Sequence, residues 1–138
     1  MPTYYLAKTD PETYSIEDFK KEKVTNWDGV HNYTALIHIK NWKIGDLILI
    51  YHSQGQAKIM GLAKVISEPV KDENDPRTSY YAKLEFIKEF EPDKQITLKQ
   101  IRETGLFDDF MLLRQGRLST MPCPDNFIEW LRGEGVLQ

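Results

Sequence analysis

The apolar residues of the 138-residue chain fall mostly into short runs that end at turn residues. Runs rich in Tyr, Leu, Ile and Val with partial alternation are typical of half-buried strands. Gly61 lies inside one of these runs, at a point where a barrel strand can bend. The pattern therefore predicts strands over residues 3–8, 24–27, 47–51, 59–67, 80–90 and 118–121.

Four other segments carry helix-start or helix-stop residues. Ser15 with Asp18, and Thr97 with Gln100, form the capping-box pattern, in which the side chain and backbone at a helix start bond to each other. Gly105 stands where a left-handed residue would end the second of these helices. The predicted helices cover residues 15–19, 33–42, 97–104 and 124–132, with polar loops at 54–58 and 71–78 and a turn at 107–111.

The order of these elements predicts a single α+β domain over residues 1–138. Strands dominate the middle of the chain and short helices fall between and after them, which favours a mixed-sheet β-barrel with helices packed around it. The length suits one domain with a core of its own. No internal repeat or low-complexity segment interrupts the chain.

Composition narrows the function. The formal net charge is −3, whereas a protein that coats DNA by neutralising phosphates is expected to be basic. If the partner is nucleic acid, a local site must supply the affinity. The single cysteine, Cys123, excludes an intramolecular disulfide framework and a cysteine-rich zinc site, and it fits a reducing cytoplasm.

Several other classes of protein find little support. No apolar run approaches the roughly 18–20 residues of a membrane span, and the start of the chain lacks the pattern of a secretory signal. The histidines, His31, His38 and His52, lack metal-ligand spacing, and no glycine-rich phosphate loop follows a strand. We therefore expect no membrane partner, no metal and no cofactor; the oligomeric state stays open, with a monomer favoured.

The most informative chemistry lies in one short segment. Trp27 and Tyr33 offer aromatic faces for stacking, Asn32 both donates and accepts hydrogen bonds, and Gly29 lets the backbone approach a ligand closely. Together with His31, these groups suit a flat heteroaromatic ring. The alternative is a turn whose two aromatic rings belong to the core.

Two further polar clusters lie at predicted strand ends, a common place for binding sites. The first is Tyr51-His52-Ser53, and its alternative is a strand that ends in solvent. The second is Arg117-Leu118-Ser119, whose arginine suits a phosphate and whose serine suits a base edge. The alternative for this cluster is an ordinary loop.

Catalytic patterns are weaker. His52 and Ser53 are neighbours at a strand end and point to opposite faces, which argues against a nucleophile–base pair between them. Adjacent carboxylates such as Asp108 and Asp109 fit a solvated turn.

The order and spacing of the short motifs resemble the EVE domain family over about residues 2–133. The motifs that carry the resemblance are Tyr5-Leu6-Ala7-Lys8-Thr9-Asp10-Pro11, Tyr14-Ser15-Ile16, Trp27-Asp28-Gly29-Val30, Asn32-Tyr33, Gly45-Asp46, Tyr51-His52-Ser53, Gly61 and Arg117-Leu118-Ser119. The resemblance implies a PUA-like β-barrel, or pseudobarrel, with short surrounding helices, and a domain that binds nucleic acid and reads modified bases in DNA or RNA.

The resemblance also implies one pocket, built from distant parts of the chain, that captures a single base or a modified nucleoside. Its implied members are Lys8, Trp27, Gly29, His31, Asn32, Tyr33, Tyr51, His52, Ser53, Arg117, Leu118 and Ser119. In this interpretation the aromatic rings stack on the base, the serine and asparagine side chains read its edge, and Lys8 and Arg117 neutralise flanking phosphate.

Two departures from the family pattern bear on the ligand. This chain has His31 and Leu36 where the family has arginines, so two guanidinium groups are lost. Charging of His31 at low pH is the predicted substitute for one of them.

A small hydrolase acting on modified nucleosides is the alternative function. The related ASCH domains share the PUA-like fold, and the resemblance to those that act with a lysine and a carboxylate would make Lys8 a catalytic group. No second residue of this sequence matches a catalytic motif, so the domain is predicted to bind rather than to catalyse.

Overall fold

A computed structural model of the chain describes residues 2–55 and 57–138. The strands are β1 Tyr4–Thr9, β2 Val24–Trp27, β3 Leu47–His52, β4 Lys58–Val65, β5 Val70–Lys71, β6 Tyr80–Glu89 and β7 Thr120–Pro122. The α-helices are α1 Ile16–Glu22, α2 Tyr33–Lys40, α3 Leu98–Thr104, α4 Met111–Arg114 and α5 Asp125–Gly133, and a short 3₁₀ helix covers Pro92–Lys94.

The strands form one mixed sheet in the order β2-β6-β4-β3-β1-β7, with β5 paired to the first residues of β6. The pair β1 and β3 is parallel, and the other neighbouring pairs are antiparallel. Within the described residues the sheet does not close on itself. Helix α2 packs against both β6 and β7, near the two opposite edges, and so spans the gap between them. The architecture is thus the predicted α+β pseudobarrel, open between β2 and β7.

Apolar cores cover both faces of the sheet. Leu6 and Leu49 belong to one core together with residues of α3 and α5, whereas Ala7 and Ile50 belong to the other together with residues of α1. Because side chains alternate across a strand, β1 and β3 contribute to both cores and are buried on both faces, as parallel pairs usually are. The prediction of a mixed sheet with helices packed around it is confirmed, and the final helix α5 packs on the face that carries Leu6 and Leu49.

The helix ends follow the signals in the sequence. Ser15 caps α1 and makes both bonds of the capping box with Asp18. Thr97 does the same with Gln100 at the start of α3, and Gly105 ends that helix in the left-handed region with a φ of 67°. These capping predictions are confirmed.

Some boundaries differ from the predictions. The pairing with β6 gives Val70–Lys71 strand structure before the polar loop begins, and residues 111–114 form a helical turn. Strand β7 begins at Thr120 rather than at Leu118, because the Leu118 N–H bonds back to Gln115 and its side chain is buried in the core. Gln56, in the predicted loop 54–58, lies outside the described residues.

Gly61 lies where β4 approaches β6 and α1 most closely. A Cβ at this position would overlap the carbonyl oxygen of Lys88 and lie 3.0 Å from Cδ1 of Ile16. We expect Gly61→Ala to lower the free energy of unfolding by about 1–3 kcal/mol, the usual cost of overpacking, as measured by urea denaturation. Gly133→Ala is the control, because apart from the chain neighbours of Gly133 and the nearby backbone of its own helix no heavy atom of the described residues lies within 4 Å of the added carbon. Equal stability of the two variants would contradict the prediction.

Candidate functional site

A cleft of about 560 Å³ lies at the carboxyl ends of β1 and β2, beside the turn that leads into α2. Its volume is in the usual range for small-ligand pockets. Six of the twelve predicted site residues line it: Lys8, Trp27, Gly29, His31, Asn32 and Ser119. The fold therefore brings together three parts of the chain that the sequence places far apart.

Lys8 supplies the ammonium group of the cleft. Its backbone N–H donates to the carbonyl oxygen of Ser119 at 2.8 Å, which joins two walls. Its Nζ donates to the carbonyl oxygen of Gly116 at 3.1 Å and lies 5.8 Å from the centre of the Tyr51 ring. Burial lowers the pKa of the Lys8 ammonium group from its ordinary value. Lys8 is therefore a half-buried cation held in position at the carboxyl end of β1.

Trp27 forms one wall of the cleft and also belongs to the core. Only 8% of its surface is exposed, and its ring centre lies 6.4 Å from that of Tyr14 and 6.3 Å from that of Phe19. Tyr14 lines the cleft too, although the sequence analysis did not select it. Burial and a hydrogen bond to Glu22 raise the pKa of Tyr14 to about 12. The two rings therefore form a fixed, largely apolar wall.

The turn between β2 and α2 also lines the cleft. Gly29 has a φ of 75°, a left-handed conformation that glycine adopts without strain. Asn32 caps α2, since its Oδ1 accepts the N–H of Ala35 at 3.0 Å. The carbonyl oxygen predicted to read a base is thus committed to the helix start, and the side-chain NH₂ group is the part of Asn32 left for a ligand.

His31 connects the cleft to the polar loop 72–79. Its Nε2 lies 2.5 Å from Oδ2 of Asp75, and its Nδ1 is bonded to the guanidinium group of Arg77. Ser79 donates its hydroxyl to the same Oδ2 at 2.7 Å, and the backbone N–H of Arg77 donates to Oδ1 at 2.8 Å. These bonds, with that of Ser79 first, lower the pKa of Asp75 to about 2. Sequence reasoning missed the contact because His31 and Asp75 are 44 residues apart.

The other six predicted residues do not line the cleft. Tyr33 lies in the first turn of α2, next to Asn32 in the chain, with 78% of its surface exposed. Tyr51 and Leu118 are buried in the core that contains α5, and Arg117 is exposed in the loop before β7. Their ligand roles stay predictions.

His52 and Ser53 make structural contacts where β3 ends. Nε2 of His52 accepts the N–H of Ile16, the first residue of α1, at 3.0 Å, so a neutral imidazole satisfies a free donor of that helix. Burial, with a smaller contribution from Lys58, lowers the pKa of His52. Ser53 donates its N–H to the carbonyl oxygen of Thr9 at 3.0 Å and its hydroxyl to the same oxygen at 3.3 Å.

Residues 2–55 and 57–138 can also be compared with the requirements of metal binding and of membrane insertion. No group of three or more His, Cys, Asp and Glu side chains there is placed to hold a metal ion. No helix in those ranges combines the length and the apolar character needed to cross a bilayer.

The open mixed sheet with its surrounding helices is the fold of a PUA-like domain. The ASCH protein of Zymomonas mobilis shares this fold with a TM-score of 0.63 at 13% identity, over 95% of this chain and 94% of that one. The model of the EVE domain matches residues 3–133. The chain therefore belongs to the EVE domain family, as its motifs predict.

The chain is similar in sequence to thymocyte nuclear protein 1 and similar in fold to a solved structure of that protein. Thymocyte nuclear protein 1 of Rattus norvegicus is 34% identical over an alignment of 93 residues, and the match covers 55% of this chain and 41% of that protein. The human protein is 33% identical over an alignment of 84 residues, and the match covers 52% of this chain and 37% of that protein. This chain thus matches about two fifths of the length of these relatives. A crystal structure of the human THYN1 protein in complex with DNA containing 5-methylcytosine has a TM-score of 0.81 at 24% identity, covering 96% of this chain and 97% of that one.

The helix contact of His52 predicts a pH dependence of stability. A histidine whose pKa is lowered by folding stabilises the fold above its ordinary value of about 6.5 and loses this effect as the pH falls through its folded value. We expect the free energy of unfolding to decrease from pH 7.5 to 5.5, and His52→Gln to reduce that slope because glutamine keeps an acceptor that does not titrate. Urea denaturation at each pH measures both. An unchanged slope in His52→Gln would show that another group is responsible.

Proposed function

We propose that this domain binds nucleic acid by receiving one base, in particular a modified base, in the cleft between Lys8 and the turn 28–32. The observation that carries the proposal is the combination of groups in that cleft. A fixed aromatic wall, a positioned ammonium group, free amide and hydroxyl groups and a glycine turn all face one space. These are the groups that proteins use to hold an unstacked base and read its edge.

The relatives support the choice of ligand. The human THYN1 protein, which has the same fold, binds DNA that contains 5-methylcytosine in its crystal structure. Membership of the EVE family covers nearly the whole of this chain. We therefore propose a modified pyrimidine in DNA or RNA as the first ligand to test.

The geometry revises the roles of individual residues. Trp27 and Tyr14 wall the cleft, but only a small part of the indole is exposed, so the captured base meets their edges more than an open stacking face. Tyr33 lies beside the turn with most of its ring exposed. We propose that Tyr33 stacks on a base next to the captured one, while the Asn32 amide and the Lys8 ammonium group bond to the captured nucleotide.

The energetics favour single strands over duplexes. Stacking on an aromatic side chain contributes about 1–3 kcal/mol per base, and extruding a base from a duplex costs a few kcal/mol. These terms nearly cancel for a domain with one cleft. A buried methyl group adds only about 0.8 kcal/mol, so discrimination of a methylated base by shape alone should be only severalfold.

Fluorescence titration of short oligonucleotides tests the function. A single strand with one 5-methylcytosine should bind more tightly than the same sequence as an intact duplex, and severalfold more tightly than the unmethylated strand. The slope of log affinity against log salt should be about −1 to −3, because one cleft contacts few phosphates. Equal binding of duplex and single strand, or a slope steeper than about −5, would contradict single-base capture.

Two aromatic substitutions, each with a control substitution, separate binding from folding. Tyr33→Ala should weaken binding of the single strand by about 1–3 kcal/mol and leave the unfolding midpoint almost unchanged, since the ring is exposed; Leu106→Ala, at another exposed apolar residue, is its control. Trp27→Ala should weaken binding and also cost about 3–5 kcal/mol of stability. Trp42→Ala is the matched control, because Trp42 lies in the same core outside the cleft. Wild-type affinity in Tyr33→Ala would remove the stacking role.

Hydrolysis of a modified nucleoside is the second candidate. The cleft places the half-buried ammonium group of Lys8 in one space with the carboxylates of Asp10 and Asp28, and these groups have the chemistry of an acid–base pair. Mass spectrometry of the titration mixtures distinguishes the candidates. A product that forms with the wild type and is absent with Lys8→Met would favour the hydrolase.

A further inference from the structure

The loop 72–79 is held together by hydrogen bonds of its own and is joined to the cleft at His31. The N–H of Asp72 donates to the carbonyl oxygen of Ser79 at 2.9 Å and closes the base of the loop, and Ser79 itself is completely buried. Asp75 accepts hydrogen bonds from the Ser79 hydroxyl and the Arg77 backbone and also contacts His31. Two residues of the loop, Asp75 and Arg77, thus contact His31 in the wall of the cleft.

The contacts of His31 assign a donor and an acceptor role to its two ring nitrogens. A guanidinium group has donors only, so the contact with Arg77 makes Nδ1 of His31 the acceptor. Nε2 then carries the proton and donates it to Asp75. Both ring nitrogens are thus occupied by the loop, and no donor is left for a phosphate. That His31 itself replaces a lost arginine as a cation at low pH stays a prediction.

The carboxylates that line the cleft outnumber its ammonium group, so binding of a phosphate there would need a further cation. Among the lining residues, Lys8 is positive and Asp10 and Asp28 are negative. The Lys8 ammonium group also donates to a backbone carbonyl oxygen. A nucleic-acid strand that inserts one base must bring the adjacent phosphates to this acidic rim, where Coulomb repulsion would oppose it. Arg77 is exposed, permanently charged, and fixed at the rim through His31.

We propose that Arg77 binds the phosphate next to the captured base, and that His31 and Asp75 are positioning residues that hold its guanidinium group beside the cleft. One N–H of Arg77 bonds to His31, and the remaining donors of the fork suit phosphate oxygens. Asp75 fixes the tautomer of His31 and anchors the loop at the same time. The inference rests on the proposed function. It adds a phosphate contact by Arg77, which is not one of the residues that line the cleft.

The test compares a nucleoside with a strand. Free 5-methyl-2′-deoxycytidine carries no phosphate, so Arg77→Gln should bind it as the wild type does. The same variant should bind the single-stranded oligonucleotide about tenfold more weakly at low salt, and its slope of log affinity against log salt should be shallower by about 0.7, the value for one phosphate contact on a single strand. Arg114→Gln is the matched control, because it makes the same change of net charge at an exposed arginine that pairs with Asp109.

The positioning role has its own readout. His31→Ala should make the slope of log affinity against log salt shallower when Arg77 is present. In the Arg77→Gln background the same substitution should leave the slope unchanged. A general loss of structure would instead lower the affinity whether or not Arg77 is present. A thermal melt of each variant confirms folding. Wild-type slope and affinity in Arg77→Gln would overturn the assignment while leaving base capture intact. Failure of the wild type to bind either ligand would overturn the proposed function and this inference with it.

Discussion

The parallel ladder between β1 and β3 lies inside the sheet, flanked by β4 and β7, and its register aligns Lys8 with Tyr51 and Thr9 with His52. Both faces of this pair are buried, so a shift by one residue would exchange the side chains of the two cores. The ladder continues past the strands, since Ser53 bonds to the carbonyl oxygen of Thr9. The position of Lys8 at the cleft is therefore set by the same pairing that organises the core.

A parallel pair also places two strand ends at the same edge of the sheet, and the chain uses each end differently. The end of β1 opens into the cleft and pairs with Ser119. At the end of β3, the imidazole of His52 accepts the N–H of Ile16 at the start of α1. One end thus contributes chemistry while the other anchors a helix, even though both carry polar residues of the kind that line sites.

Local signals in the sequence were sufficient for much of the fold. Capping residues, a glycine that ends a helix and apolar alternation depend on neighbours within a few positions, and they predicted α1, α3, α5 and the main strands. The site was predicted only in part, because its decisive contacts join distant segments. The loop that carries Asp75 and Arg77 has the composition of solvated chain, and nothing in its own sequence marks its attachment to His31. The capping bond of Asn32 and the exposure of Tyr33 likewise depend on where α2 begins.

Some residues belong both to the core and to the cleft, and composition alone does not distinguish these two roles. Trp27 is a core residue by burial and a cleft residue by position. An aromatic ring beside a polar turn gives the same pattern in the sequence for either duty, and the difference appears only once Tyr14 and Phe19 are packed against it.

Helix α2 bridges the open edges of the sheet, and the residue that caps it is a wall of the cleft. Substitutions in the turn 28–32 that alter ligand preference would thus also change how firmly the barrel is held together. The loop 72–79 is joined to the cleft through side chains outside both cores. In the divergence of such domains, new ligand specificities would be expected to arise more readily by exchange of that loop than by change in the turn, because the loop can vary at a smaller cost to folding.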